Sequence, residues 1–194
     1  MNIAIFASHG GSNFENICRF ERENGSDCKF KVKLLISNNP EAFVLKRAEK
    51  LSVPSLVISP RQFLNDQEYV SQLMKLLNKY NIQMIVLAGY MKLLPMTILQ
   101  HFPKRVINIH PSLLPKFGGK GMYGDHVFRA VFESREEYSG ITIHYVSEHY
   151  DEGEILVQER FKIESGDTLD TIKTKTQELE KNFYPVVIQK ICSS

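Results

Sequence analysis

The chain has 194 residues, with 24 basic and 22 acidic side chains and a formal net charge of +2. Hydrophobic residues make up 43% of the chain and charged residues 24%, which is typical of a folded globular protein and argues against disorder. Because the charges nearly balance and are spread along the chain, we expect no extended basic surface and no nucleic-acid partner.

The first half of the chain alternates short apolar runs with longer amphipathic segments. This alternation is typical of parallel βαβ units, which form a sheet with helices on its faces. We therefore expect a mostly parallel, Rossmann-like sheet with ligands at the carboxyl ends of its strands. The apolar runs predict strands at 3–7, 30–37, 56–58, 82–88 and 106–109, and the amphipathic segments predict helices at 12–23, 41–51 and 67–80.

The second half predicts a different arrangement. Strands at 140–147 and 155–163 flank a short polar connection, so they should form an antiparallel pair added to the parallel sheet. A terminal helix should cover 167–191, where Pro185 should kink or break it. With no repeat and no linker, the sequence predicts a single α/β domain over residues 1–194.

Cysteine usage and the apolar runs indicate the compartment. Cys18, Cys28 and Cys192 are an odd number without C-x-x-C spacing, which disfavours a disulfide framework and a zinc site. The amino terminus lacks a basic segment and a long apolar run, and no stretch approaches the roughly 18 apolar residues of a membrane helix. We therefore expect a cytoplasmic protein that neither spans a membrane nor needs a metal.

A glycine turn at 8–13 follows the first predicted strand. Gly11 lets the backbone approach a ligand closely, and the free N–H groups of the next helix favour a phosphate. The segment is neither a Walker loop nor a G-x-G-x-x-G fingerprint, which disfavours a dinucleotide. Ser12 and Glu15 also have capping-box spacing, which needs no ligand, so both interpretations stand.

Two separate segments of the chain supply a second group of polar candidate residues. Asn108 and His110 are two residues apart, so in a strand their side chains share one face. Amide and imidazole donors can stabilise an oxyanion there, and histidine can exchange a proton near neutral pH. Asp151, in the acidic connection between the last two strands, is a candidate to orient His110 or relay a proton. The alternatives are an incidental histidine at a strand end and an acidic turn.

Metal and covalent mechanisms have little support. The segment from His144 to His149 has one residue too many for the inverted zincin motif, and within one strand the two histidine side chains would face opposite sides. No Gly-x-Ser-x-Gly elbow is present and no cysteine adjoins the polar clusters, so we expect no nucleophile for a covalent intermediate.

Taken together, these segments resemble the folate-dependent formyltransferases, and among them most closely the enzymes that formylate glycinamide ribonucleotide. The resemblance covers nearly the whole chain and implies the formyltransferase fold. It rests on 108–115 (Asn-Ile-His-Pro-Ser-Leu-Leu-Pro), on Asp151-x-Gly153, on 11–13 (Gly-Ser-Asn) and on 87–91 (Leu-Ala-Gly-Tyr-Met).

The resemblance implies direct transfer of the formyl group of 10-formyltetrahydrofolate to the amine of glycinamide ribonucleotide, in de novo purine (IMP) biosynthesis. It implies that Asn108 and a protonated His110 polarise the formyl oxygen and that Asp151 supports the histidine. Gly11, Ser12 and Asn13 would hold the substrate phosphate.

Further positions follow from the same resemblance. Glu180 would meet the ribose hydroxyls. The partners would be these small molecules alone, acting on a monomer or homodimer. The folate would lie near a group of residues after the fourth strand and in the second half, namely Tyr90, Met91, Lys92, Leu94 and Val146.

The chain departs from the family pattern at several positions. The segment 118–124 is longer than the usual proline-containing turn, and its glycines suit a mobile lid. Lys92 stands where arginine is common, and 66–68 lacks an arginine that some members place near the substrates, which leaves Arg61 as a candidate replacement.

Relatives with the same Asn-x-His and distant Asp remain alternatives. The transfer-RNA and sugar-nucleotide formyltransferases normally carry a further carboxy-terminal domain, and the deformylase normally carries a further amino-terminal one. A catalytically silent folate- or nucleotide-binding module is the alternative outside the enzymes, although all three reacting residues are present.

Overall fold

The computed structural model describes residues 1–193, which contain seven β-strands and six α-helices. The strands are Asn2–Phe6 (β1), Lys31–Ser37 (β2), Ser55–Val57 (β3), Met84–Leu87 (β4), Val106–His110 (β5), Tyr138–Tyr145 (β6) and Ile155–Lys162 (β7). The helices are Ser12–Asn24 (α1), Val44–Lys50 (α2), Asp66–Lys79 (α3), Met96–His101 (α4), Asp125–Ser134 (α5) and Leu169–Ser193 (α6).

The strands form one sheet in the order β3-β2-β1-β4-β5-β6-β7. Strands β1 to β5 are parallel, whereas β6 runs antiparallel to β5 and β7 antiparallel to β6. All four residues of β4 are buried, as expected for a central parallel strand covered on both faces. The structure confirms the predicted α/β sheet with an antiparallel pair at one edge.

Helices cover both faces of this sheet. Alternate residues of β1 face opposite layers: Ile3 and Ile5 pack in the layer that includes α1 and α6, whereas Ala4 and Phe6 pack in the layer that includes α3. This period of two follows from strand geometry. Within residues 1–193 no helix is both long enough and apolar enough to cross a membrane.

Helix α6 continues through Pro185, so the predicted break is wrong. Proline has no N–H for the Lys181 carbonyl one turn earlier. The side-chain amide of Asn16 donates to that carbonyl instead, at 2.8 Å. Tyr184 and Ile188 on either side are fully buried against the sheet. Packing and a substitute donor therefore hold the helix in one piece.

Two helices, α4 and α5, were not predicted. Helix α4 has only six residues, too few to show a helical period. Helix α5 carries a buried stripe of Val127, Phe128 and Val131, but it directly follows the glycine-rich segment 118–124, and no element was predicted for its residues. Helix α2 begins at Val44 rather than at 41.

Candidate active site

The carboxyl ends of β1, β4 and β5 open into a cleft of about 690 Å³. The segment 118–124, the start of α5 and one face of α6 form its other walls. Arg61 does not line the cleft. The structure brings together every other predicted site residue there, namely Gly11, Ser12, Asn13, Tyr90, Met91, Lys92, Leu94, Asn108, His110, Val146, Asp151 and Glu180.

His110 ends β5 and is only 4% exposed. Its Nε2 lies 2.7 Å from the Phe117 carbonyl oxygen. A carbonyl can only accept, so Nε2 carries a hydrogen and donates it. Nδ1 lies 3.5 Å from Oδ2 of Asp151. In the neutral ring, Nδ1 is therefore the basic nitrogen, and it is the one beside the carboxylate.

The pKa of His110 is lowered in the unliganded protein. Burial lowers its pKa below the ordinary value, and His144 adds to that effect, while Asp151 and the Phe117 carbonyl oppose it. The desolvation of the charged ring is the largest of these influences. Burial therefore favours the neutral ring of His110 in the unliganded protein, whereas the expected imidazolium concerns the reacting complex and stays a prediction.

Asp151 lies in the turn between β6 and β7 with φ of 60°. The Gly119 amide donates to its Oδ2 at 2.9 Å, and Oδ1 lies 3.6 Å from Nε2 of His144. Burial works to raise the pKa of Asp151, but His144, His110 and the Gly119 amide together hold it below the ordinary value. Asp151 is thus a carboxylate at neutral pH.

His144 is a site residue that the sequence interpretation missed. It is paired with Asn108 across β5 and β6 and is 2% exposed. Its Nδ1 lies 2.9 Å from the Tyr145 carbonyl, so Nδ1 carries the hydrogen and Nε2 accepts from the Asn108 amide at 3.2 Å. The amide nitrogen has two hydrogens, which leaves one for a ligand. The pairing of β6 with β5 brings His144 to the site, and the sequence alone does not determine that register.

The glycine turn forms the amino-terminal end of α1. Gly11 is the N-cap, with φ of 76° and no side-chain cap, and Ser12 is the first helical residue. The capping-box interpretation is therefore wrong. A Cβ on Gly11 would lie 2.3 Å from Cγ2 of Val44, so close packing against α2 requires glycine as well as the positive φ.

Helix α2 anchors this turn. The Val44 amide donates to the His9 carbonyl and the Arg47 Nε to the Gly10 carbonyl, each at 2.9 Å. Arg47 also forms an ion pair with Glu15. Glu15 is thus paired with a cation rather than used in a cap. The first amides of α1 have no partner within the helix, which suits an anion.

Asn13 connects the turn to α6. Its amide donates to Oε2 of Glu180 at 3.0 Å. Burial raises the pKa of Glu180 to about 7, against the opposing effect of the Asn13 amide. Gln177, one turn earlier on α6, also lines the cleft and was not predicted.

The segment after β4 forms the opposite side of the cleft. Ser8 fixes it, because its hydroxyl accepts from the Met91 amide at 2.8 Å and donates to Asn38 at 2.5 Å. Tyr90 is 8% exposed and packs edge-on against Phe6. The backbone that carries the predicted folate-binding residues is therefore hydrogen-bonded to Ser8, at the start of the glycine turn.

The segment 118–124 contacts the polar centre directly. The Phe117 carbonyl and the Gly119 amide just described bind His110 and Asp151. A Cβ on Gly118 would lie 2.5 Å from Leu114 and 3.3 Å from Cβ of Asp151. Glycine here permits the close approach, and a mobile lid stays a prediction.

These features define a class of enzyme. A buried histidine with a carboxylate can move a proton, an amide donor beside it can stabilise an oxyanion, and a helix terminus can hold a phosphate. All three face one cleft. The arrangement fits transfer of a group between two bound molecules by acid–base catalysis.

Comparison with known proteins identifies the family. Residues 1–188 match the formyl transferase family, and the chain belongs to it. The chain is 38% identical over 188 residues to the phosphoribosylglycinamide formyltransferase of Bacillus subtilis, covering 97% of this chain and 93% of the relative. It is 40% identical over 194 residues to the chloroplastic enzyme of that name from Arabidopsis thaliana, and it spans 65% of that protein.

Solved structures give the same result. The phosphoribosylglycinamide formyltransferase of Bacillus halodurans superposes with a TM-score of 0.89 at 36% identity, covering 100% of this chain and 96% of the other. The Coxiella burnetii enzyme, in complex with CHES, gives 0.90 at 31% identity, with 100% and 87% covered. These findings confirm the resemblance and the fold, and they support an enzyme of formyl transfer in purine biosynthesis.

Proposed function

We propose that the chain transfers the formyl group of 10-formyltetrahydrofolate to the amine of glycinamide ribonucleotide. The observation that carries the proposal is the placement of His110, Asp151 and Asn108 in the same cleft as the amino-terminal end of α1. One cleft therefore offers both catalytic groups and a candidate phosphate site.

The two substrates take opposite sides of the cleft. The ribonucleotide phosphate binds at Gly11, Ser12 and Asn13, and Glu180 accepts from the ribose hydroxyls. The folate lies along Tyr90 to Leu94 and against Val146. This arrangement directs the amine and the formyl carbon toward His110, and holding them together supplies much of the rate enhancement.

The amine attacks the formyl carbon, so negative charge develops on the formyl oxygen. The free hydrogen of the Asn108 amide donates to that oxygen. One donor of this kind contributes about 3 kcal/mol of transition-state stabilisation. Asn108 is held for this task by its hydrogen bond to His144.

Attack leaves a proton on the former amine, now positively charged. Neutral His110 accepts that proton at Nδ1 and becomes an imidazolium, which Asp151 stabilises from 3.5 Å. His110 then returns the proton to N10 of the folate as the bond between N10 and the formyl carbon breaks. The products are formylglycinamide ribonucleotide and tetrahydrofolate, and no covalent enzyme intermediate or metal takes part.

The test mixes the purified full chain with both substrates and follows folate absorbance. We expect turnover that depends on glycinamide ribonucleotide, and a loss of at least about 100-fold in kcat for His110→Ala. Turnover without the acceptor would instead indicate a hydrolase, and absence of acceptor-dependent turnover would reject the proposal. We also propose that the protein is a single cytoplasmic catalytic domain, either monomeric or homodimeric. Measurement of its native mass tests the oligomeric state.

A further inference from the structure

Lys173 is a cleft residue with no role in the chemistry above. It lies on α6, four residues before Gln177 and seven before Glu180, so the three side chains follow one face of the helix. All three line the cleft. Since Glu180 accepts from Asn13, this face of α6 meets the start of α1 at Glu180.

The phosphate end of the cleft has too little positive charge of its own. The amino terminus of α1 offers only about half a charge, and the carboxyls of Glu180 and Asp125 also line the cleft. Among the described residues that line it, the lysines are Lys92, Lys120 and Lys173. Lys92 lies on the predicted folate side and Lys120 in the glycine-rich segment, whereas Lys173 lies on the helix face that also carries Glu180, the partner of Asn13.

Lys173 is now held by a partner that is readily exchanged. Its Nζ lies 2.6 Å from Oδ1 of Asp125, and the two side chains are 36% and 70% exposed. Exposed ion pairs contribute little to stability, so breaking this one has a small cost. Nζ also lies 5.9 Å from the centre of the Phe128 ring, which positions the stem along the cleft wall.

We propose that Lys173 binds the phosphate of the acceptor substrate, and that Asp125 holds its ammonium group when the cleft is empty. The inference rests on the proposed function and deepens it, because it names a second source of charge for the phosphate. The helix rise of about 1.5 Å per residue places the Cα of Lys173 about 6 Å from that of Gln177 and about 10 Å from that of Glu180. The flexible four-carbon stem of lysine reaches along that face.

Binding of ribose 5-phosphate, measured by calorimetry, tests the inference without any need for turnover. We expect Lys173→Met to raise Kd about tenfold, equivalent to about 1.4 kcal/mol. Asp125→Asn should have the opposite effect and lower Kd about threefold, because it removes a competing carboxylate and frees the ammonium group. A purely structural ion pair would not give effects of opposite sign.

Lys175 provides the matched control on the same helix. It forms an ion pair of the same length, 2.6 Å, with Asp167, and its Nζ lies over the ring of Phe161. Lys175→Met should leave Kd within about twofold of the wild type. Equal Kd values for the two lysine variants would overturn the inference, as would weaker binding by Asp125→Asn.

Turnover separates this inference from the proposed function. If Lys173→Met raises KM for the ribonucleotide and leaves KM for the folate and kcat unchanged, both stand. If the wild type turns over and the two lysine variants match it, only the role of Lys173 fails. If ribose 5-phosphate does not bind the wild type, the phosphate role of Lys173 fails whatever the turnover shows.

Discussion

At the scale of single residues, the neutral state of His110 sets the direction of proton transfer. Its Nε2 hydrogen is committed to the Phe117 carbonyl, so Nδ1 is the only ring atom free to accept a proton. Burial keeps that atom unprotonated at neutral pH, even though Asp151 works against it. In the proposed mechanism His110 therefore begins the reaction as a base and becomes an acid only after the amine has attacked.

The pH profile of Asp151→Asn tests this assignment. Since Asp151 raises the pKa of His110, removing its charge should move the acidic limb of kcat/KM to lower pH. Loss of imidazolium stabilisation should also reduce kcat by about 100-fold. The exposed neighbour Glu152, changed to Gln, should alter neither quantity. An acidic limb of kcat/KM that stays in place or moves to higher pH would contradict the assignment. Where turnover of Asp151→Asn is too slow to measure, NMR titration of the His110 ring gives the pKa directly.

Glu180 gives a second pH-dependent prediction. With its pKa raised to about 7, its carboxyl loses ribose-accepting capacity as the pH falls below 7. KM for the ribonucleotide should therefore rise toward acid, whereas Glu180→Gln should give a higher KM, about tenfold at pH 8, that is independent of Glu180 titration. A wild-type KM that is flat from pH 6 to 8 would contradict this role.

The same group affects stability with a definite sign. The folded protein binds this proton more tightly than the unfolded chain, whose carboxyl has the ordinary pKa of 4.5 rather than about 7. Glu180 therefore lowers the unfolding free energy as the pH rises from about 4.5 to about 7, and the contribution is constant above that range. The unfolding free energy of Glu180→Gln, measured by urea unfolding across this pH range, should lack this pH-dependent decrease.

Residue patterns predicted part of this site well. The spacing of Asn108 and His110 placed them on one strand face because strands have a period of two. His144 was missed because its role depends on the register of β6 against β5, which a single sequence does not determine. The neutral state of His110 was also beyond the sequence, since it depends on burial that only the folded chain supplies.

At the scale of secondary structure, α6 shows how a chain tolerates an internal proline. The carbonyl that Pro185 leaves without a helical donor is satisfied by Asn16 from α1. The hydrogen bond therefore does two things, since it completes α6 and fixes α1 against it. The composition of α6 predicted a helix but not its continuity, because the rescuing residue is 165 positions away from the carbonyl it binds.

Asn16→Ala should lower the unfolding free energy by about 1 kcal/mol. In a Pro185→Ala background the new backbone N–H can bind the Lys181 carbonyl, so the same change should cost less there. Asn24 is the control, because it lies on the same helix but donates to Phe20 within it. Urea unfolding of the wild type, the two single variants and the double variant measures the coupling. If Asn16→Ala lowers the unfolding free energy equally with Pro185 in place and in the Pro185→Ala background, this explanation is ruled out.

At the scale of the whole molecule, the site joins two parts of the chain. The parallel strands supply the glycine turn, the segment after β4 and the pair Asn108 and His110. The antiparallel edge and α6 supply Asp151, His144 and Glu180. The alternating elements predicted the parallel half, whereas the meeting of the two halves depends on long-range contacts that local sequence patterns do not specify.

Tyr184 is a buried connection between those parts. It is fully buried on α6, and its hydroxyl donates to the Leu87 carbonyl of β4 at 2.7 Å, with the Ile107 carbonyl of β5 at 3.4 Å. Tyr184→Phe leaves the buried Leu87 carbonyl without this donor, so the unfolding free energy should fall by about 1–2 kcal/mol. Because Tyr184 does not line the cleft, kcat of the folded variant should stay within about twofold of the wild type.

The half-buried Tyr80 offers the comparison for this change. Tyr80→Phe removes the same atom from a position at the end of α3 that is accessible to water, so its effect should lie within about 0.5 kcal/mol. Urea unfolding of both variants measures the difference. If Tyr184→Phe lowers the unfolding free energy no more than Tyr80→Phe does, the hydroxyl of Tyr184 contributes nothing measurable. Helix α6 would then be held on the sheet by its apolar residues alone.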